Sequence, residues 1–288
     1  MKFQLIDAKK AALPIERMCP LLNVSVSGYY AWKHRGPSRR QLDDMVFLAH
    51  IRAHFTASNG TYGSPRMHVD LCEDGLQIGR HRVARLMRAN ALKANQKRRF
   101  KKTTDSNHGG VIAANLLDQD FTCEHPDQKW GVDISYVWTM EGWLYLAIVL
   151  DFFSRRIVGW ALSNRLKKDL ALSALRRAIA VRTPAAGLIH HSDRGSQYCS
   201  DDYLRLLKDQ GMIPSMSGKG NCYDNAMVET VFKTIKSELV WRTSFQSRRQ
   251  AEIAIGQYID GFYNPRRRHS ALGYKSPIAF EAGMVTTE

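Results

Sequence analysis

The sequence has no paired cysteines, no apolar run long enough to cross a bilayer, and few acidic residues in its first third. Its five cysteines are widely separated without a Cys-x-x-Cys spacing, which argues against a disulfide framework or a zinc knuckle and predicts reduced thiols. The first residues, MKFQLIDAKK, contain no apolar core suited to a signal peptide. The longest apolar run, WLYLAIVLDFF from Trp143, is about half the length of a membrane span and predicts a buried strand. We therefore expect a cytoplasmic protein without a membrane partner.

The shortage of acids is confined to one part of the chain. Residues 1–110 carry 20 Lys/Arg against 8 Asp/Glu, a net charge of +12, whereas residues 111–288 carry 22 against 19, a net charge of +3. The apolar fraction of 44% is typical of a globular protein with a real core. A basic half ahead of a nearly balanced half predicts a polyanion-binding module joined to a domain with a different role. The alternative is that the charge confers only solubility.

The first segment has the pattern of a helix-turn-helix. IERMCPLLNVSVSGYYAWKHR predicts a short helix from Ile15 to Leu22, a turn near Asn23, and a second helix rich in aromatic and basic residues. A short polar turn followed by such a helix is what a major-groove reader needs. The alternative is a plain helical hairpin whose core contains Tyr30 and Trp32.

A second helical pair follows. Ser64 and Pro65 predict a helix start and Gly75 its end, and GRHRVARLMRANAL predicts the next helix. Its outward face carries four arginines, Arg80, Arg82, Arg85 and Arg88. We interpret them as phosphate contacts, since no acids balance them, although a solvated face is the alternative. The next stretch, KANQKRRFKKTTDSNHGG, predicts a linker whose cations follow a DNA backbone.

From about residue 120 the pattern becomes that of an α/β domain. KWGVDISYVW alternates large apolar and small or polar residues, which predicts a strand. The succeeding segments predict three strands, helix, strand, helix, strand and a final helix within SMSGKGNCYDNAMVETVFKTIKSEL. A hairpin-rich start followed by alternating elements predicts a mixed five-stranded sheet with helices on its faces.

Three carboxylates occupy informative places in this layout. Asp133 lies within the first strand, opposite its aromatic stripe; Asp193 follows the fourth strand; Glu229 lies one turn into the last helix. Each has an ordinary explanation: the polar face of a strand, an acid in a turn, or an exposed ion pair with Lys233. Together they point to a site, since three converging carboxylates repel one another unless they hold a divalent cation. Oxygen ligands favour Mg²⁺ or Mn²⁺, a pair of which supports phosphodiester chemistry.

The motifs WGVDISYV, HHSDRGSQY and NCYDNAMVETVFKTIKSEL resemble those of the DDE transposases and retroviral integrases, and more closely the second-frame (OrfB) product of the bacterial insertion-sequence-three family. Between Asp193 and Glu229 lie 35 residues, the spacing of that family's D,D(35)E signature. Lys236, seven positions after Glu229, matches a basic residue that such helices carry. The ending YNPRRRHSALGYKSPIAFE is also similar.

The resemblance implies an RNase H-like fold in which Asp133, Asp193 and Glu229 are the catalytic metal ligands for two Mg²⁺ ions, with Mn²⁺ as a substitute. It implies cleavage at transposon ends by water, attack of the freed 3′-hydroxyl on another phosphodiester, and a circular intermediate. Lys233 and Lys236 would then face DNA near the cut. Arg266, Arg267 and Arg268, in NPRRRHS, are interpreted as DNA backbone contacts.

Other polar residues receive ordinary roles. We expect His191 to be a structural hydrogen bonder, the alternative being an approach to the metal centre. Asp224 is expected to cap the last helix rather than to bind metal, and the signature gives Asp151 no role.

We expect five parts: helix-turn-helix-like segments at 1–45 and 46–95, a basic linker at 96–119, the catalytic domain at 120–245 and a basic C-terminal tail at 246–288. Expected partners are double-stranded DNA (terminal repeats and target), further copies of the chain, and an upstream-frame protein as fusion or partner; the protein would be nucleoid-associated when bound to DNA. The competing functions are an inactive DNA-binding repressor and a nuclease that cuts without joining.

Overall fold

The computed structural model describes residues 1–94, 112–218 and 222–285. The predicted linker lies largely outside these ranges. The chain divides into two compact units, Met1–Ala53 and His54–Glu288. The helices are α1 Lys2–Lys9, α2 Ile15–Leu21, α3 Val26–His34, α4 Arg39–Ala57, α5 Ser64–Glu73, α6 Arg80–Ala89, α7 Lys168–Arg182, α8 Asp201–Asp209, α9 Ala226–Glu238, α10 Arg248–Tyr258 and α11 Pro277–Val285. The strands are β1 Lys129–Thr139, β2 Gly142–Asp151, β3 Ile157–Ser163, β4 Ile189–Ser192 and β5 Ile213–Met216.

The first unit contains the predicted helix pair, α2 and α3, packed with α1. Its small core includes Ile6, Met18, Cys19 and Tyr29, and the Tyr29 hydroxyl donates a hydrogen bond to Asp7 at 2.7 Å. Trp32 packs against this core, as the helical-hairpin alternative required, but Tyr30 remains 40% exposed. The pattern therefore predicted the helices correctly, and part of the aromatic content of α3 stabilises the unit itself.

The second unit is built on a five-stranded sheet with the order β3-β2-β1-β4-β5. β1, β2 and β3 form an antiparallel meander, whereas β4 and β5 run parallel to β1. A turn with Gly142 at φ +104° connects β1 to β2, a conformation that favours glycine. The mixed five-stranded sheet with flanking helices, preceded by all-helical segments, confirms the predicted fold class.

One face of the sheet packs against α7 and α8. Its core contains Trp130, Val132 and Val149 from the strands with Leu175 and Leu207 from the helices. Helix α7 approaches β3 so closely that a Cβ on Gly159 would collide with the Ala174 carbonyl oxygen and lie 2.7 Å from Ala178 Cβ. The predicted aromatic stripe of β1 lies on this face of the sheet. Because strand side chains alternate between faces, Asp133 lies on the opposite face.

Helix α9 packs against the opposite face of β1. A Cβ on Gly131 would collide with the Phe152 ring and lie 2.7 Å from Val228 Cγ2 on α9. Because Gly131 has no side chain, α9 can lie close to β1. The distance between Asp133 and the first turn of α9 therefore depends on this glycine.

We expect Gly131→Ala to lower the free energy of unfolding by about 1–3 kcal/mol, because the added methyl group overpacks this contact. Urea denaturation measures the effect. Gly261→Ala is the matched control, since a Cβ there meets nothing within 4 Å. Equal denaturation midpoints for the two variants would contradict the close packing of α9 on β1.

The segment predicted as a basic tail, 246–288, contains two α-helices, α10 and α11, in its described part. The Asn264 side chain joins it to β3, accepting from Ile157 N at 3.0 Å and donating to Ile157 O at 2.9 Å. The Tyr62 hydroxyl, just before α5, donates to Arg266 O at 3.2 Å and accepts from Arg268 N at 2.8 Å. The segment thus packs against both the sheet and the region around α5. None of the helices in the described ranges is long and apolar enough to span a membrane.

Candidate active site

The site is built around Asp133, which lies in β1 immediately beyond the end of its pairing with β4. That pairing ends where Gly131 lies opposite His191. One oxygen of Asp133 accepts a hydrogen bond from Ile134 N at 2.7 Å. The pKa of Asp133 is raised to about 8, first by burial and then by the negative charge of Asp193 and, more weakly, of Glu229.

Asp193 is the residue that follows β4. Because β1 and β4 are parallel and Gly131 lies opposite His191, two further residues along each strand bring Asp133 and Asp193 to the same level. The Asp193 carboxylate accepts a hydrogen bond from Gly195 N at 2.9 Å, which fixes the turn after the strand. Adjacent strands thus place two carboxylates at one edge of the sheet.

Glu229 lies in the first turn of α9 and is part of the same electrostatic group. The helix buries Val228, Val231, Phe232 and Ile235, and Glu229 lies beside this apolar stripe with its side chain 40% exposed. It forms an ion pair with Lys233 at 3.4 Å. The ordinary interpretation of that pair is therefore present, but the Glu229 charge also raises the pKa of Asp133.

Lys236 is the basic residue that faces this group. Burial lowers its pKa, and the Asp133 charge opposes that effect. Lys233, by contrast, has a side chain 63% exposed. Even with the ammonium groups of Lys233 and Lys236 beside them, the three carboxylates outnumber these two cations by one.

The donor set fits a hard divalent cation, because three carboxylates with mutually repelling charges supply oxygen ligands. In the conformation of the structure, no three or more His, Cys, Asp or Glu side chains of the described residues lie close enough together to hold a metal ion. Each carboxylate instead has a protein partner: Ile134 N for Asp133, Gly195 N for Asp193, and Lys233 for Glu229.

Comparisons with known proteins identify the family. The HTH-like domain matches residues 41–100, and the integrase core domain matches residues 124–222 and, as a second description, 210–277. The chain is 41% identical over 288 residues to the transposase InsF for insertion sequence IS3A of Escherichia coli (strain K12), covering 98% of each chain. The chain belongs to the IS3 family of insertion-sequence transposases. It is also 45% identical over 263 residues to the insertion element IS600 uncharacterized 31 kDa protein of Shigella sonnei, covering 91% of this chain and 97% of that protein.

Among solved structures, the transposase is similar to a simian T-cell lymphotropic virus intasome in complex with PP2A regulatory subunit B56 gamma. The TM-score is 0.46 at 15% identity, covering 81% of this chain and 74% of the other. Membership of this family establishes that the protein is an insertion-sequence transposase that binds DNA. Its activity is polynucleotidyl transfer, which depends on a metal ion. It confirms the predicted family and function.

A buried polar network holds the start of α9 in this transposase, and the sequence did not reveal it. The Asp224 carboxylate is fully buried and accepts hydrogen bonds from Gly218 N at 2.8 Å and Asn115 Nδ2 at 3.1 Å. Asn225 Nδ2 donates to the carbonyl of Val132, next to Asp133, at 3.3 Å. The prediction that Asp224 caps the last helix is wrong, because the N-cap residue of α9 is Asn225 and no side chain caps it. The polar string YDN before the helix was the available signal.

His191 is a structural hydrogen bonder, as predicted. Its Nδ1 lies 2.9 Å from Ser215 Oγ and its Nε2 lies 3.1 Å from Ser217 Oγ, so both ring nitrogens have partners. The neighbouring His190 places Nε2 3.0 Å from the Tyr203 hydroxyl. Asp151, which the signature left without a role, is also structural: it accepts from the backbone N–H groups of Asp127 and Ser154.

These buried histidines predict loss of stability in acid. Burial lowers the pKa of His190 to about 3 and that of His191 to about 4, below the value of about 6.5 expected in the unfolded chain. As the pH is lowered, these two histidines therefore become protonated in the unfolded chain before they become protonated in the folded protein. The stabilisation is complete above pH ~6.5 and falls as the pH is lowered towards 3, by about 1.4 kcal/mol per pH unit for each histidine.

Urea denaturation at a series of pH values between 7.5 and 4.5 tests this. We expect His190→Gln to reduce the acid slope by about one proton, and His81→Gln, at an exposed position, serves as the control substitution. A wild-type slope that His190→Gln does not alter would show that His190 is not the group being protonated.

The predicted DNA contacts divide into two groups. Arg80, Arg85, Arg88 and Arg266 are exposed and Arg82 is partly exposed, so these remain predictions. Arg267 and Arg268 require correction. Arg267 is 5% exposed and paired with Glu238, and Arg268 is engaged by Asp70 and Glu73. Their guanidinium groups form ion pairs with carboxylates of the protein itself. A buried arginine requires such a partner because an unpaired buried charge is costly.

Proposed function

We propose that Asp133, Asp193 and Glu229 form the catalytic set with which this transposase cuts and joins DNA at the ends of its element. The observation that carries the proposal is the β1–β4 register, which brings Asp133 and Asp193 to one level, together with the charge of Glu229 acting on the same site. The 35-residue spacing between Asp193 and Glu229 supports it as the family signature.

These three carboxylates would hold two Mg²⁺ ions, or Mn²⁺ in their place. When bound, the cations activate an attacking oxygen and neutralise charge on the leaving oxygen in phosphodiester chemistry. Asp133 is prepared for such a role by its environment, because a half-buried carboxylate beside two others gains stability from a nearby positive charge. The reaction is cleavage by water, followed by attack of the freed 3′-hydroxyl on a second phosphodiester.

The basic residues hold the DNA. Lys236 interacts with the charge of Asp133 and would contact a phosphate next to the scissile bond, with the more exposed Lys233 about one turn earlier on the same helix. Phosphates further from the scissile bond would be contacted by the exposed arginines of α6, by the partly exposed Arg82 and by Arg266. Phosphate contacts of this kind fix the register of the duplex and carry no sequence information.

Joining two element ends requires that both be held together, which supports action as a homo-oligomer on DNA. We propose an upstream-frame protein as a fusion or partner, and association with the nucleoid when the transposase is bound to DNA. In this arrangement the helical segments at 1–45 and 46–95 recognise the ends, and the catalytic domain at 120–245 performs the chemistry.

The test uses a labelled duplex carrying the terminal repeat of the element, incubated with the transposase in Mg²⁺ or in EDTA. Nicked and joined products are resolved on a denaturing gel for wild type and Asp193→Asn, with and without the upstream-frame protein. Joined product that requires Mg²⁺ and disappears in Asp193→Asn supports the proposal. Nicked product without joining would favour a nuclease, and binding without any metal-dependent product would favour a repressor.

A further inference from the structure

Helices α5 and α6 pack on each other and carry charges of opposite sign. The arginines that we propose as phosphate contacts belong to α6, whereas α5 carries Asp70 and Glu73 one turn apart. We call residues 64–89, which comprise these two helices and the turn between them, the α5–α6 module. Acids on a module that binds DNA repel phosphates unless a cation of the protein neutralises them. The partner of these two acids therefore bears on how the module works.

That partner is Arg268, which lies in the C-terminal segment. Its Nε donates a hydrogen bond to Asp70, and Nη1 and Nη2 donate to the two carboxylate oxygens of Glu73, Nη1 at 2.8 Å. Nη1 also donates to Tyr274 O at 3.0 Å, and the Arg268 side chain is 12% exposed. A guanidinium group that engages two carboxylates through its planar fork fixes geometry as well as charge.

A second contact of the module has the opposite polarity. Arg66 of α5 lies 3.8 Å from Glu238, the last residue of α9, in a longer and weaker ion pair. The module thus supplies acids to one partner and a cation to the other. Such an exchange specifies one orientation, because a module that rotated or slid on its partner would bring like charges together.

These contacts connect the module to the elements that carry the proposed catalytic set. Glu229 and Glu238 lie at the two ends of α9, nine residues apart, which is about 14 Å along the helix. The segment that contains Arg268 is itself joined to β3 through the two hydrogen bonds of Asn264. The α5–α6 module is therefore anchored both to the helix of Glu229 and to a segment held by the sheet.

Stability is the ordinary role of such ion pairs. That role predicts a lower free energy of unfolding when Arg268 is removed, and it predicts no effect on where DNA is cut. The arrangement favours a positioning role, because the contacts join the helices that hold DNA to the helix that carries Glu229. Their alternating polarity specifies an orientation, which stability alone does not need.

We propose that Arg268 is a positioning residue that holds the α5–α6 module at a fixed distance from the proposed catalytic set. The protein thereby sets the interval between the phosphates bound by α6 and the phosphodiester that is cut. Arg268 acts through Asp70 and Glu73 and does not touch the DNA. The proposal deepens the proposed function and rests on it for the roles of α6 and of the three carboxylates. Without Arg268 the module shifts on its partner, and cuts fall at several neighbouring phosphodiesters.

Two variants of the full-length protein break this contact from opposite sides and change the net charge in opposite directions. Arg268→Ala removes the cation, whereas Asp70→Asn with Glu73→Gln removes the acids. Arg249→Ala is the matched control, because Arg249 is 78% exposed and pairs with Glu252 within α10. The thermal transition shows whether each variant is folded. If Arg268→Ala does not fold, the variant without the acids carries the test.

The first measurement maps the cut positions on a labelled element end in Mg²⁺, at single-nucleotide resolution on a denaturing gel. We expect wild type and Arg249→Ala to cut at one position. Both test variants should spread their cuts over neighbouring positions, with the yield at the wild-type position falling by about 10-fold or more because the substrate is misplaced.

The second measurement is a hydroxyl-radical footprint of the same duplex in EDTA, which requires no catalysis. The part of the footprint that belongs to α6 is the part that Arg88→Ala removes. We expect both test variants to keep that part and to lose the protection at the cut end. A DNA contact by Arg268 predicts a different pattern: weaker binding in Arg268→Ala, tighter binding in the variant without the acids, and one cut position in both.

Two results would overturn the proposal. The first is a single cut position and an unchanged footprint in both folded test variants, which would leave the contacts a role in stability only. The second is the pair of opposite affinity changes with an unchanged cut position, which would make Arg268 a phosphate contact. A wild-type protein without any metal-dependent cut would contradict the proposed function instead, and the footprint would still decide whether Arg268 positions the module.

Discussion

Glu229→Gln should abolish strand cleavage and joining while leaving binding to the element end nearly intact. The substitution keeps the size of the side chain and removes its charge, so α9 retains its packing through Val228 and Val231. We expect product formation to fall by about 10³-fold or more, because a lost metal ligand removes several kcal/mol of transition-state stabilisation. Product yield in Mg²⁺ and the dissociation constant in EDTA measure the two effects separately.

The matched control is Glu252→Gln, which removes the charge of a partly exposed acid on α10 that pairs with Arg249 at 3.5 Å. It should retain both activity and binding. The ion pair of Glu229 with Lys233 makes the alternative concrete: if Glu229 were only half of a surface pair, its loss would cost at most about 1 kcal/mol of stability. Unchanged cleavage in Glu229→Gln would favour the surface-pair role, whereas equal losses of binding and cleavage would show that Glu229 is needed for the fold.

The strands of the sheet that carry Asp133 and precede Asp193 could be predicted from sequence because their signals are local. The alternation around Asp133 predicts a strand, a buried apolar run predicts its neighbour, and the segment ending at Asp193 predicts a further strand of the same mixed sheet. The structure pairs β4 in parallel with β1 so that Gly131 lies opposite His191, and this register brings Asp133 and Asp193 to the same level. The position of α9 does not follow so directly, because it depends on Gly131 and on the hydrogen bond from Asn225 to Val132 O.

The role of NPRRRHS could not be predicted, because its partners are distant in sequence. Three consecutive arginines look alike as a pattern, yet in the structure only Arg266 is exposed. Arg267 pairs with a glutamate 29 residues earlier, and Arg268 with acids almost 200 residues earlier. Charge composition can indicate that a segment is basic, but the fold decides which cations are neutralised internally. The basic patch predicted at this end of the chain is correspondingly smaller.

Arg267→Ala should be among the most destabilising single substitutions in the second unit. The Arg267 guanidinium donates two hydrogen bonds to Glu238, at 2.8 Å and 2.6 Å, and Tyr258 donates a third at 2.7 Å. Burial alone would lower the pKa of Arg267, but the hydrogen bonds and charge of Glu238 outweigh it and raise that pKa. Glu238 is 4% exposed, so removal of Arg267 would leave a buried charge without its main partner. We expect a loss of about 3–5 kcal/mol in the free energy of unfolding, measured by urea denaturation.

Two further variants distinguish this buried pair from a DNA contact. Arg266→Ala removes the neighbouring, exposed arginine and should weaken DNA binding with little change in stability. The double variant Arg267→Met with Glu238→Leu removes both buried charges at similar volume and should restore stability to within about 1–2 kcal/mol of wild type. Because Glu238 ends the helix whose first turn carries Glu229, the double variant should also recover strand transfer. A stable Arg267→Ala protein that had lost only DNA affinity would instead return Arg267 to the DNA-binding surface.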